Sequence, residues 1–158
     1  MLEIERKYRV HNSDYKALAT VTYRIVQGYL NSHPERTVRV RIKADRAFIT
    51  VKGKSSESGL SRFEWEREIA LAEAEQLLPL CEPGSIEKIR YIVPFLDQEF
   101  EVDEFLADNK GLVVAELELK SEQQQVELPA WVAKEVTGDV RYYNSSLMKQ
   151  PYKQWLDQ

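Results

Sequence analysis

The chain has 158 residues, a formal net charge of −4, and 43% hydrophobic and 30% charged residues. That length suits one domain spanning residues 1–158 with a real core, and the composition excludes a disordered polymer. The acidic balance argues against a general nucleic-acid surface, and no apolar run reaches membrane-spanning length. Glu3, Glu5, Arg6 and Lys7 stand where a secretory signal needs an apolar stretch, and Cys81 is the only cysteine. A reducing cytoplasm is therefore the expected location, with no intrachain disulfide.

Period-two alternation dominates the chain. It predicts strands over residues 2–10, 24–31, 37–43, 47–54, 61–70, 87–93, 98–104 and 112–120. Ala44-Asp45-Arg46 reads as a hairpin connection, and Asp108-Asn109-Lys110-Gly111 as a turn before the last strand. Residues 55–60, with three serines and Gly59, read as a mobile loop. Asn12 or Ser13 can cap a short helix to about residue 20. Helical composition over 72–81 is limited by Pro79 and then by Pro83-Gly84. Pro129 and Pro151 are placed to open short helices over about 129–136 and 151–157. The predicted class is α+β with β dominant: a strongly curved antiparallel sheet or barrel with short peripheral helices.

On an extended strand, residues two apart share a face. Glu3, Glu5 and Lys7 therefore point one way, and Leu2, Ile4 and Tyr8 the other. Later strands repeat the pattern: Arg39, Arg41 and Lys43; Lys52 and Lys54; Arg62, Glu64, Glu66 and Glu68; Lys88 and Arg90; Glu101 and Asp103; Glu116, Glu118 and Lys120. Any one of these strands alternates as a sheet with one face in water would. Taken together they segregate charge by strand, whereas a surface serving solubility alone intersperses the signs. If the charged face turns inward, buried charges need partners or a charged ligand. A polyanion with a divalent metal satisfies both halves. Arg and Lys neutralise phosphate oxygens, and paired carboxylates supply the hard oxygen donors that Mg²⁺ or Mn²⁺ prefers. The apolar faces are then outside, under the helices and in part against a second subunit, so a homodimer is a reasonable expectation.

The ordered set of motifs resembles a known family, the CYTH domain or triphosphate tunnel metalloenzymes, and most closely its compact bacterial members. The matching residues are Glu3-Ile4-Glu5-Arg6-Lys7 (E-x-E-x-K), Gln27-Gly28-Tyr29-Leu30, Arg39-Val40-Arg41, Thr50-Val51-Lys52-Gly53-Lys54, Arg62-Phe63-Glu64-Trp65-Glu66, Lys88-Ile89-Arg90, Glu101-Val102-Asp103 and Glu116-Leu117-Glu118. Thr137-Gly138-Asp139-Val140-Arg141-Tyr142 and Asn144-Ser145-Ser146-Leu147 close the series. The resemblance implies an eight-stranded closed antiparallel tunnel that binds a triphosphate with Mg²⁺ or Mn²⁺. It implies Glu3, Glu5, Asp103, Glu116 and Glu118 as metal carboxylates, with Glu101 nearby. Lys7, Arg39, Arg41, Lys52, Lys54, Lys88 and Arg90 are implied as phosphate contacts. Glu5, Glu118 and Lys7 are the expected catalytic residues, the two carboxylates being alternative general bases. The resemblance also implies that Glu64 and Glu66 orient the basic groups or bind a second metal. C-terminal helices plug one tunnel end in relatives, which makes Arg141 and Lys149 further candidates there.

The implied reaction is hydrolysis of a terminal phosphoanhydride, with inorganic tripolyphosphate the expected small-molecule substrate. Two alternatives stand beside it: a class IV-like adenylate cyclase converting ATP to cyclic AMP, and a non-catalytic polyphosphate- or nucleotide-binding module. Several features lead elsewhere only on a quick reading. Gly53-Lys54-Ser55 lacks the glycine that a phosphate-binding P-loop needs five residues earlier, where Phe48 stands. His11 and His33 are isolated, and Cys81 reads as a small buried side chain. Trp131 and Trp155 read as packing residues, and Tyr29 either lines the tunnel or packs in its strand. Asn144-Ser145-Ser146 matches a glycosylation sequon by chance.

Overall fold

In the computed structural model, which describes residues 2–155, nine strands form one sheet and three helices are short. The strands are β1 (Leu2–Val10), β2 (Val21–Asn31), β3 (Arg36–Lys43), β4 (Arg46–Ser55), β5 (Ser61–Ile69), β6 (Ile86–Phe95), β7 (Gln98–Phe105), β8 (Val113–Glu118) and β9 (Val132–Glu135). The helices are α1 (Tyr15–Leu18), α2 (Leu71–Leu77) and α3 (Asn144–Leu147). Neighbours run β5-β4-β3-β2-β6-β7-β8-β1, every pair antiparallel, and a β1–β5 pairing closes the eight strands into a barrel. The expected closed antiparallel barrel is thus observed. A two-residue link, Ala44-Asp45, joins β3 to β4 as expected, with Ala44 in the left-handed region.

β1 is the closing strand, and it uses both edges. One pairs with β8, with Glu5 opposite Glu118 and Lys7 opposite Glu116. The other pairs with β5 only over Leu2–Ile4, because β5 begins at Ser61 opposite Ile4. Farther along, the open edge is taken by β9, with Tyr8 opposite Glu135 and Val10 opposite Val132. Thr137 Oγ1 accepts the Lys7 N–H at 3.0 Å, and the Lys7 carbonyl accepts from the Val136 N–H at 2.8 Å.

This arrangement corrects the helix expected at 129–136. Pro129 makes a turn in which its carbonyl accepts the Val132 N–H, and the following residues serve the unpaired backbone of β1 as a strand. The helix expected at 151–157 is a single 3₁₀ turn, Tyr152–Gln154, and positions 156 and 157 lie outside the described residues. The segment over 72–81 stops as a helix at Leu77 and continues as a 3₁₀ turn through Pro79.

The apolar faces lie outside the barrel and at one end. Val40 and Ala47 on β3 and β4 pack under α2 against Ala74. Phe100, Val102, Ala115 and Leu117 of β7 and β8 pack with Tyr15 of α1 and with Trp131 of the β8–β9 connection. At the end of the barrel, Phe105, Ile86 and Leu112 meet Tyr142, Leu147, Met148 and Tyr152 of the C-terminal segment. Burial of these residues fixes α3 over that end, and the charged faces are left to line the interior.

Candidate active site

A cavity of about 190 Å³ runs inside the barrel, and among the described residues eight basic and seven acidic side chains line it. They come from strands around the wall: Glu3, Glu5 and Lys7 from β1, Arg39, Arg41 and Lys43 from β3, Lys52 from β4, and Arg62, Glu64 and Glu66 from β5. Lys88 and Arg90 of β6, Glu101 of β7, and Glu116 and Glu118 of β8 complete the set. One end is covered by Thr137, Gly138, Tyr143, Asn144 and Ser145.

Four predicted residues do not line the cavity. Lys54 does not line the cavity; its side chain is 77% exposed, 4.0 Å from Glu35. The cause is a bulge in β4: Lys52 pairs with Glu64 but Ser55 with Arg62, so three steps on β4 match two on β5. The extra residue reverses the phase, and Ser55 faces inward instead. Asp103 shares the inner face with Arg90, its partner across the strands, but is buried beneath its cations and does not line the cavity: it lies 2.8 Å from Lys88 Nζ and is bidentate to Arg90 at 2.7 and 2.8 Å. Its oxygens are committed to cations. Arg141 is paired with Asp139 and stacked on Tyr142 and Trp155, and neither it nor exposed Lys149 lines the cavity.

The cations are held by carboxylates at graded distances. Lys52 Nζ lies 2.8 Å from Glu3 and 3.5 Å from Glu64, and Lys7 Nζ lies 3.9 Å from Glu5 and 3.6 Å from Glu116. Arg39 and Arg41 each reach Glu66 only at 3.5 Å, and the Nε of both is buried with no hydrogen-bond partner among the described residues. Burial, and then the neighbouring Arg39 and Arg90, lower Arg41 to about 10. Both arginines line the cavity, and their contacts with the Glu66 carboxylate are long. Burial also lowers Lys88 to about 8 against the pull of Asp103.

The carboxylates are crowded. Glu5 stands directly opposite Glu118, and Glu101 opposite Glu116, where like charges repel. Burial and then the Glu116 carboxylate push Glu5 well above the usual carboxylate range. Glu116 is penalised by burial too, but Lys7 draws it down to about 2. Among the described residues no three of these groups already converge at metal-ligand spacing. The donor set nevertheless fits a hard divalent cation: oxygen donors, negative and mutually repelling, next to cations of a phosphate-sized cavity.

Alternation missed several lining residues. Thr50, almost fully buried, donates to Glu66 at 2.6 Å and accepts from Arg39 at 3.2 Å. The Tyr143 ring lies 5.1 Å from Lys7 Nζ and 5.8 Å from the Arg62 guanidinium. Asn144 accepts from Lys88. Thr50 carries no charge that would mark its phase. Tyr143 and Asn144 sit where a 3₁₀ turn meets the one-turn helix α3, elements too short to carry a periodicity.

With this geometry in view, the similarities to known proteins agree. The CYTH domain model matches residues 1–152, and the chain belongs to that family. It is 49% identical over 153 residues, 96% of both chains, to the inorganic triphosphatase of Acetivibrio thermocellus. It is 38% identical over 151 residues to the inorganic triphosphatase of Nitrosomonas europaea, covering 93% of this chain and 97% of that one. A crystal structure of an inorganic triphosphatase superposes with a TM-score of 0.67 at 33% identity, covering 92% of this chain and 93% of the other. The family implies a divalent metal. No helix among the described residues is long and apolar enough to cross a membrane.

Proposed function

We propose that this protein is an inorganic triphosphatase that hydrolyses the terminal phosphoanhydride of tripolyphosphate inside the barrel, with Mg²⁺ or Mn²⁺. The observation that carries the reading is the cavity itself, in which under-satisfied arginines face mutually repelling carboxylates across a space sized for phosphates. Lys7, Arg39, Arg41, Lys52, Lys88 and Arg90 bind the phosphate oxygens, the arginines through their paired N–H groups. Arg62 and Lys43 join them from the rim of the same set. Lys54 is left out because its side chain is outside.

Glu3, Glu5, Glu116 and Glu118 hold the cation, with Glu64 adjacent. Asp103 and Glu101 aim Arg90, and Asp103 also holds Lys88. When bound, the metal supplies positive charge that offsets developing charge on the phosphate oxygens. The side chains do the rest by position. Phosphoryl transfer proceeds through a loose transition state, so fixed cations at the transferring and leaving oxygens lower its energy without reorganising. Glu5 and Glu118, opposed across β1 and β8, orient the attacking water in this reading.

The test is incubation of the purified protein with tripolyphosphate or ATP, in Mg²⁺, Mn²⁺ or chelator, with phosphate, pyrophosphate and cyclic AMP measured. Metal-dependent phosphate release, lost in folded Glu5→Gln and Arg41→Ala, is expected. Cyclic AMP as the main product, or binding without turnover of either substrate, overturns the reading.

A further inference from the structure

The motif Asn144-Ser145-Ser146 is not a modification site in this fold, since Asn144 lines the cavity as the first residue of α3. Its oxygen has two donors. Lys88 Nζ donates to Asn144 Oδ1 at 2.9 Å, and Gln27 Nε2 donates to the same atom at 3.0 Å. Three elements therefore meet there: Lys88 on β6, Gln27 on β2 and Asn144 on the C-terminal segment.

The surroundings of this junction are closely packed. Gln27 is completely buried, and its own oxygen lacks a partner among the described residues, so its amide is held through Asn144. Leu147, one turn beyond Asn144, is completely buried in the end cluster. Lys88 lies over the Phe105 ring at 5.4 Å, and only 2% of its side chain is exposed.

An ammonium group has three tetrahedral donors and no acceptor. Asp103 takes one at 2.8 Å and Asn144 takes another. Two fixed acceptors set the rotation of the group about its last bond and thereby the direction of the third N–H. Lys88 is itself a lining residue, so the remaining donor is the one left for a ligand in the cavity. A neutral acceptor suits this place, because a carboxylate would repel an incoming phosphate.

We propose that Asn144 is a positioning residue: pinned by Gln27, its oxygen orients the Lys88 ammonium toward a phosphate of the substrate, so that docking of α3 on the barrel end completes the anion site. The proposal rests on the triphosphatase reading for the identity of the anion. It assigns to the C-terminal segment a role that closure of the barrel end alone would not need.

The test is a double-mutant cycle with Asn144→Ala and Lys88→Met, read by calorimetric titration of tripolyphosphate under chelation and by KM and kcat with metal. Asn144→Ala is expected to weaken binding and raise KM about tenfold, a loss of one oriented charge-assisted hydrogen bond. In the Lys88→Met background the same substitution is expected to cost less than about twofold, because the group it aims is gone. Gln27→Met, which leaves Asn144 in place but unpinned, is expected to give about a threefold loss and carries the test if Asn144→Ala does not fold. Equal losses in both backgrounds, or wild-type binding by Asn144→Ala or by Gln27→Met, overturn the proposal. Failure of the triphosphatase reading looks different: the wild-type protein itself then releases no phosphate, while the titrations still report on Asn144.

Discussion

Glu5 illustrates how this site sets stability against function at single residues. It faces Glu118 across the β1–β8 pair, and burial followed by the Glu116 charge holds its carboxyl well above the ordinary range. A carboxyl raised on folding binds its proton more tightly in the native state than in the unfolded chain. Its contribution is complete below the unfolded pKa and is lost as pH rises through the folded pKa. Above the unfolded carboxylate range Glu5 therefore costs stability, and the cost grows as pH rises toward its raised folded pKa. Glu5→Gln, which keeps the shape and removes the charge, is expected to raise Tm at pH 8, with the gain shrinking toward pH 4 as both states become protonated. The same variant is expected to lose at least about a hundredfold in phosphate release, the scale of a removed transition-state interaction. Thermal melts at the two pH values, beside an activity assay, check both parts. An unchanged or lowered Tm at pH 8 would show that the Glu5–Lys7 pair outweighs the crowding.

At the scale of elements, the strands were legible because a closed sheet with a charged lumen writes its two faces as strict alternation. Glu3, Glu5, Lys7, Arg39, Arg41, Lys52, Lys88, Arg90, Glu116 and Glu118 all line the cavity as that phase requires. Alternation breaks down where the backbone departs from regular pairing. One inserted residue between Lys52 and Ser55 turns Lys54 out, and nothing in the local composition announces it. β9 was hidden because Pro129 looks like a helix start, whereas the need of β1 for a partner is a tertiary fact. Two predictions belong here. Lys54→Ala is expected to hold activity within about twofold while Lys52→Ala, which removes a lining cation, loses at least about tenfold; comparable losses would put Lys54 in the site after all.

The second concerns the contact between the β4–β5 loop and the segment after β9. Gly59 has φ +77°, and a Cβ there would lie 2.4 Å from the Gly138 Cα, against backbone that has no side-chain freedom to yield. Gly59→Ala is expected to destabilise the fold by about 1–3 kcal/mol and to raise KM, since Gly59 and Gly138 both line the cavity. Denaturant midpoints measure the first effect, and a midpoint equal to wild type would show that the loops can separate freely.

Considered whole, the molecule keeps its hydrophobic clusters on the outside and at one end of the barrel and gives the interior to ionisable groups. The lumen therefore contributes little apolar burial and holds charges that repel within each sign: burial first and then Arg39 and Arg90 depress Arg41, and burial first and then Glu116 raises Glu5. A polyanion with a divalent cation relieves both sets at once, because each finds the opposite charge it lacks. Ligand that binds only the folded state stabilises it by mass action, about 2.7 kcal/mol at a free concentration one hundred times Kd. For a chain of this size that corresponds to a rise in Tm of about 5–11 °C. Tripolyphosphate with a divalent metal, under conditions in which the assay detects no turnover, is expected to give a shift of this order. Either component alone is expected to give less than their combination, since one leaves the carboxylates crowded and the other the arginines. Arg41→Ala should reduce the shift, and Lys54→Ala should preserve it, which separates binding in the lumen from binding at the surface. Scanning calorimetry with sulfate at matched ionic strength provides the control. A sulfate shift equal to that of tripolyphosphate would mean that the lumen responds to ionic strength and has no preference for a chain of phosphates.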